Sequence, residues 1–190
     1  DDTLDSLLAG LGLAIIAIFL MLSAYYQSFK VPLIILSVLP AVIAGALLLL
    51  FLTGSTLNLQ SYMGIIMSLG VSVSNAVLLI NQAEYFRKQV GLSPANAARM
   101  AASSRLRPVL MTAAAMLAGM LPMAIGIGDG AEQIAPLGRA VIGGLIASTF
   151  SILLLLPHFF SALLAKSSIA DPSLDPDDTA SPYFQKQIHS

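Results

Sequence analysis

Ser72, Ser74 and Asn75 lie within a stretch, Val31 to Ala83, that carries no charged residue. Hydroxyl and amide groups in such a setting can do two kinds of chemistry. They can hydrogen-bond across closely packed helices, or they can line a water-accessible route that hands on a proton or ion. Farther along, Arg105-Leu-Arg107-Pro108-Val-Leu-Met-Thr112 opens the next apolar run. On a helix of about 3.6 residues per turn, Gly64, Ser68, Ser72 and Asn75 share about one quarter of the circumference. Ser74 shares a neighbouring face with Gly70 and Asn81. Thr112, Met116, Gly119 and Met123 recur on one face of the following helix. Spacing leaves packing and pathway both open.

The bland readings are specific too. A lone helical Thr such as Thr112 bonds its own preceding turn. Arg105 and Arg107 read locally as interfacial anchors that snorkel toward headgroups. Gly143, Gly144, Ala147, Ser148 and Ser151 form a small-residue strip suited to helix packing. His158 beside Pro157 reads as an interfacial residue.

Composition narrows the classes. The chain has 190 residues, 57% hydrophobic and 10% charged, against about a quarter charged in a soluble domain. It is a membrane protein by this measure. The net charge of −1 gives no sign of a nucleic-acid partner. The absence of Cys excludes disulfides, thiolate metal sites and thiol catalysis. No span holds a nucleophile–base pair or a cluster of metal ligands, so neither an enzyme nor a resident metal or cofactor is expected. No Asp or Glu is embedded in a span, whereas a proton-driven machine needs a group that changes charge. Glu84 stands at a helix end, where Arg87 or Lys88 on the next turn can pair with it.

The elements that position these groups are membrane helices. A span needs about 20 apolar residues to cross about 30 Å of hydrocarbon. The pattern predicts five, at about Leu7–Tyr25, Pro32–Leu52, Leu59–Gln82, Pro108–Gly128 and Leu137–Leu164. The second and third are separated by the turn signal Thr53-Gly54-Ser55-Thr56. Pro32 and Pro108 fall near predicted helix starts, while Pro122 and Pro157 should kink their spans. Ser93 and Pro94 read as the cap and first turn of a short helix lying along the cytoplasmic interface. The expected fold class is therefore all-α, a polytopic bundle of five transmembrane helices plus this short interfacial helix.

Alternating crossings place Lys30, Arg87, Lys88, Arg99, Arg105, Arg107, Lys166 and Lys186 on one side, and Arg139 alone on the other. The positive-inside rule makes the first side cytoplasmic, with the N-terminus outside and the C-terminus inside. Asp1, Asp2, Asp5, Asp129 and Glu132 fall on the outer side. The acidic start is the opposite of a secretory signal peptide, and the chain reads as a piece of a longer polypeptide cut just before a membrane segment. Residues 1–166 form the expected membrane domain. The Pro-, Ser- and Asp-rich residues 167–190 form an expected disordered cytoplasmic tail.

Four stretches together resemble the resistance-nodulation-division (RND) efflux permeases. They are Gly70-Val-Ser-Val-Ser74-Asn75-Ala76-Val-Leu-Leu, Ser104-Arg105-Leu-Arg107-Pro108-Val-Leu-Met-Thr112, Tyr25 to Pro32 with Gln27, Ser28 and Phe29, and Pro136-Leu-Gly138-Arg-Ala-Val-Ile-Gly143-Gly144. The likeness runs from about Leu7 to Leu164. It implies the last five helices of a twelve-helix permease built from two parallel membrane halves.

The same resemblance implies a homotrimeric pump in the inner membrane of a Gram-negative bacterium, exchanging protons for drugs, metals or other small compounds. Its partners would be membrane lipid, the remaining N-terminal part of the permease, a periplasmic adaptor and an outer-membrane channel. In the multidrug branch, acids on the fourth helix pair with groups on the tenth and eleventh. By that likeness the proton-relay candidates are Ser74, Asn75, Arg105 and Thr112. Ser74 stands where that branch has a Lys before Asn-Ala. A Ser only hydrogen-bonds, so either coupling runs with fewer charges, using Asn75, or it is altered. A non-transporting scaffold or remnant, and a related protein- or lipid-export branch, are the alternative readings.

Overall fold

Apolar runs separated by Gly, Pro and hydroxyl residues leave the chain no way to satisfy its backbone in lipid except as helices. The computed structural model describes residues 2–26, 28–128 and 130–164. Its helices are α1 (Asp2–Tyr26), α2 (Lys30–Leu36), α3 (Leu39–Leu52), α4 (Leu59–Gln89), α5 (Pro94–Ile125), α6 (Ala131–Phe150) and α7 (Leu156–Leu164), with a π-helical turn at Ser151–Leu155 between the last two. Five helical stretches among the described residues are long and apolar enough to span a membrane: α1, α2 with α3, α4, α5, and α6 through α7. The expected tail at 167–190, with Lys166, Lys186, Asp1 and Asp129, lies outside the described residues.

Helix ends follow local chemistry. Asn58 caps α4 reciprocally with Ser61: the Ser61 N–H donates to Asn58 Oδ1 at 3.0 Å and the Asn58 N–H donates to Ser61 Oγ at 2.8 Å. Ser93 accepts from the Asn96 N–H and Pro94 opens α5, as the sequence predicts. The expected turn at Thr53–Thr56 is present, with Gly54 at φ 62°.

Three boundaries differ from expectation. The second span breaks at Ser37-Val38, before Pro40. Pro40 has no N–H for the Leu36 carbonyl and disfavours helical geometry in the residue before it. The separate interfacial helix and the helix start at Pro108 are both replaced by one continuous α5 of 32 residues, with Pro108 in its interior. At about 1.5 Å per residue this helix is about 48 Å long, more than the hydrocarbon requires. Its first turns bury Ala97, Ala98 and Ala101. An alanine face packed on protein does not lie flat on a headgroup surface. The third departure is the last span, which passes through a π-turn just before Pro157, the residue at which a kink was predicted. Pro157 cannot donate to the Leu153 carbonyl and would clash with it. The chain widens instead, and the Leu156 N–H bonds the Ser151 carbonyl five residues back.

The core centres on α6, which packs against α3, α4 and α5. Lipid is as apolar as Leu, so burial of greasy surface does not drive this packing; close approach of backbones does. A β-carbon on Gly143 would overlap the Gly45 carbonyl oxygen and lie 2.7 Å from Leu49 Cβ. The predicted Gly143–Ser151 strip is thus a packing surface. By contrast, α1 is peripheral and buries only Leu22 among its described side chains.

The helix ends meet in two groups. The termini bearing Lys30, Arg87, Lys88 and Arg99 gather at one end, together with the C-terminus of α7. At the opposite end Arg139 joins three elements. Its Nε donates to the Ala124 carbonyl at 2.9 Å and its Nη1 donates to Ser55 Oγ at 2.6 Å. Ala124 lies in the last turn of α5, where carbonyls lack helical partners and attract a cation. Arg139 lies in the third turn of α6, deeper in the helix than a span starting at Leu137 implies. Arg139→Ala should lower unfolding stability by about 2–4 kcal/mol, the loss of two charge-assisted bonds. Denaturant titration of the purified full-length protein checks this. Arg139→Lys should recover only part, because an ammonium cannot reach both acceptors as a fork.

Candidate functional site

The polar face of α4 divides between two neighbours. Gly64, Ser68 and Ser72 are buried. A β-carbon on Gly64 would lie 2.6 Å from the Leu137 carbonyl of α6, and one on Gly144 would lie 2.8 Å from Ser68 Cβ. Both hydroxyls are satisfied inside α4: Ser68 Oγ donates to the Ile65 carbonyl at 2.8 Å, and Ser72 Oγ to the Ser68 carbonyl at 2.6 Å. For these three residues the packing role describes the geometry.

Ser74 and Asn75 face elsewhere. Ser74, the midpoint of α4, is exposed and Asn75 is half-buried. With Gly70, Val71, Thr112, Ala115 and Met116 they line an open groove of about 430 Å3 between α4 and α5. The antiparallel run of α4 and α5 brings Thr112 level with Ser74 and Asn75, although they are far apart in sequence. The groove wall is mostly apolar, so its few hydroxyl and amide groups are its polar features. Polar groups exposed at mid-span must face water or protein, because hydrocarbon offers no hydrogen bonds.

Thr112 Oγ1 donates to the carbonyls of Pro108 at 3.1 Å and Val109 at 3.0 Å. This is the local bonding expected of a helical Thr. Its proton is engaged, and its lone pairs remain able to accept from a group in the groove.

Arg105 does not line the groove. Two turns before Thr112, about 10 Å along α5, its Nη2 donates to Gln82 Oε1 of α4 at 3.3 Å. The structure therefore gathers Ser74, Asn75 and Thr112 and holds Arg105 apart, toward the basic end. Arg107 is exposed. Sequence reading missed Gln82 as the partner of Arg105. Its signal is position, since Gln82 follows Ser74 and Leu78 at successive intervals of four on one face of α4.

Asn81 also departs from the grouping by face. It accepts at Oδ1 from the Tyr26 hydroxyl at 2.5 Å, joining α4 to α1. The expected pairing of Glu84 is present: its Oε1 lies 3.7 Å from Arg87 Nε and its Oε2 lies 3.9 Å from Lys88 Nζ. His158 is exposed, with Nδ1 2.7 Å from the Leu154 carbonyl, to which it donates. The described acidic residues of the helices, Asp2, Asp5, Glu84 and Glu132, lie within two turns of a helix end. No acid stands opposite Ser74 and Thr112 among the described residues.

The fold has a counterpart of known structure. The chain is similar to a heavy metal efflux pump determined by X-ray crystallography, with a TM-score of 0.72 and 34% sequence identity. The match covers 82% of this chain and 15% of that pump's chain. A sequence profile of the AcrB/AcrD/AcrF family matches residues 2–164, and by that match the chain belongs to this family of RND permeases.

Proposed function

We propose that this chain is the membrane portion of a proton-coupled exporter of drugs, metals or other small compounds, with Ser74, Asn75, Thr112 and Arg105 on its proton relay. The observation that carries the reading is the groove in which α4 and α5 bring Ser74, Asn75 and Thr112 together. Mid-span hydroxyl and amide groups left facing outward call for a polar partner. An acidic side chain on another helix of the full pump is such a partner. When that acid is deprotonated, Ser74 Oγ and the Asn75 amide donate to it. When it is protonated, its own hydroxyl donates to Thr112, whose lone pairs can accept. Arg105 adds a fixed positive charge two turns away, which favours the deprotonated acid.

Ser74 removes one positive charge from this scheme relative to a Lys. The acid in the groove then takes up a proton more readily, since no ammonium competes with the proton for it. Family membership supports a trimer working with a periplasmic adaptor and an outer-membrane channel. The gathering of basic residues at one end supports an inner-membrane orientation with that end in the cytoplasm.

Full-length protein in proteoliposomes with an imposed pH gradient tests the reading. Export of a divalent metal ion or a lipophilic dye should collapse when a protonophore is added. Asn75→Ala should slow export about tenfold or more, because a relay loses one hydrogen-bonding group. Undiminished export after the gradient is dissipated would refute proton coupling.

A further inference from the structure

At the basic end, α1, α2, α4 and α7 leave a cavity of about 530 Å3 between them. It is separate from the groove and uses none of the relay residues. Among its lining side chains are Tyr25, Tyr26, Asn81, Glu84, Tyr85 and Arg87. Its volume lies in the range of small-molecule sites, about 300–1,000 Å3.

Arg87 is the unusual member. Its side chain is only 4% exposed, and its Nε and Nη1 make no hydrogen bond. The nearest acid is Glu84, 13% exposed, whose Oε1 lies 3.7 Å from that Nε and also makes no hydrogen bond. The two groups attract one another yet leave Arg87 Nε and Nη1 and Glu84 Oε1 without a hydrogen bond, which is costly where water is excluded. Tyr26 occupies Asn81 Oδ1, so the Asn81 amide has N–H groups to offer as donors. Tyr25 and Tyr85 are exposed at the same end, where amphipathic rings suit the headgroup layer of a membrane.

An anion alone would meet Arg87 but face the carboxylate of Glu84. A cation alone would meet Glu84 but face Arg87 and Lys88. A zwitterion with both charges a short linker apart satisfies the pair. We propose that this cavity binds the headgroup of a membrane phospholipid carrying both a phosphate and a primary ammonium, the phosphate accepting from Arg87 and the ammonium donating to Glu84. Asn81 supplies a further donor to the phosphate. A quaternary ammonium has no N–H to give Glu84, and a headgroup without an amine leaves Glu84 Oε1 without a hydrogen bond.

Native mass spectrometry of the delipidated full-length permease tests this with phosphatidylethanolamine, phosphatidylcholine and phosphatidylglycerol of identical acyl chains. The expected result is about tenfold preferential retention of phosphatidylethanolamine, the scale of one charge-assisted hydrogen bond. Glu84→Gln should bring the three lipids close to parity, and Arg87→Gln should weaken all of them. Equal retention by the unmodified protein overturns the proposal without reliance on any variant folding. Persistence of the tenfold preference in Glu84→Gln overturns the role of Glu84. Displacement of the lipid by soluble phosphoethanolamine at equal affinity would assign the site to a free phosphoester and overturn the lipid as its occupant.

Discussion

Thr112→Ala in the full-length permease is expected to leave assembly intact and to reduce proton-driven efflux by about a hundredfold or more, the scale of a lost proton-transfer partner. The variant should fold. Thr112 is exposed and its hydroxyl bonds only its own helix, while Ala is the better helix former. Thr112→Ser keeps the hydroxyl and should retain most of the activity. Arg105→Ala should be comparably inactive, whereas Arg105→Lys keeps the positive charge near the groove and should recover part of the rate. Transport assays in proteoliposomes, paired with size-exclusion profiles, separate lost coupling from lost assembly. Full transport by Thr112→Ala and Arg105→Ala together would remove both residues from the relay.

Gly143→Val is expected to have the largest effect on folding. The added β-carbon meets the Gly45 carbonyl, Leu49 Cβ at 2.7 Å and Ala46 Cα at 3.1 Å. Two of these three atoms are backbone and cannot turn aside, so α3 and α6 must separate. Overpacking of a well-filled core costs about 1–3 kcal/mol and sometimes more; a backbone obstacle places Gly143→Val at the upper end. The loss of packing between α3 and α6 should appear as a lower unfolding midpoint in detergent and a poor yield of monodisperse protein. Gly119→Ala supplies the contrast. Nothing lies within 4 Å of a β-carbon there, and the helix gains about 1 kcal/mol of propensity. Equal stability of Gly143→Val and the parent protein would refute the close approach of α3 and α6.

The number and order of the spans were legible in the sequence because hydropathy is summed along the chain and needs no knowledge of neighbours. The helix interruptions were less legible. Proline has one meaning in a peptide and several in a bundle: Pro40 accompanies a break, Pro108 rides inside a continuous helix, and Pro157 follows a π-turn. Which outcome occurs depends on the packing around the unbonded carbonyl, and that packing is tertiary. The site shows the same division. Helical period grouped Ser68 with Asn75, but the two meet different neighbours, α6 and the groove. The position of Thr112 opposite Ser74 depends on how α4 and α5 align after the turn between them, which no spacing in the sequence expresses. Arg139 read only as a charge on the outer side because its two acceptors, a backbone carbonyl and the Ser55 hydroxyl, have no sequence signature.

The π-turn at Ser151–Leu155 has a consequence for how this last span tolerates change in length. A π-turn is an α-helix that has absorbed one surplus residue within a single winding. Removing one residue from 151–155 would let the stretch rewind as plain α-helix, with the faces on either side still in phase. A deletion almost anywhere else in the span would rotate every later side chain by about 100° and turn Phe160 and Leu164 out of the core. The span thus carries its own slack at one place, a built-in allowance for a lost codon.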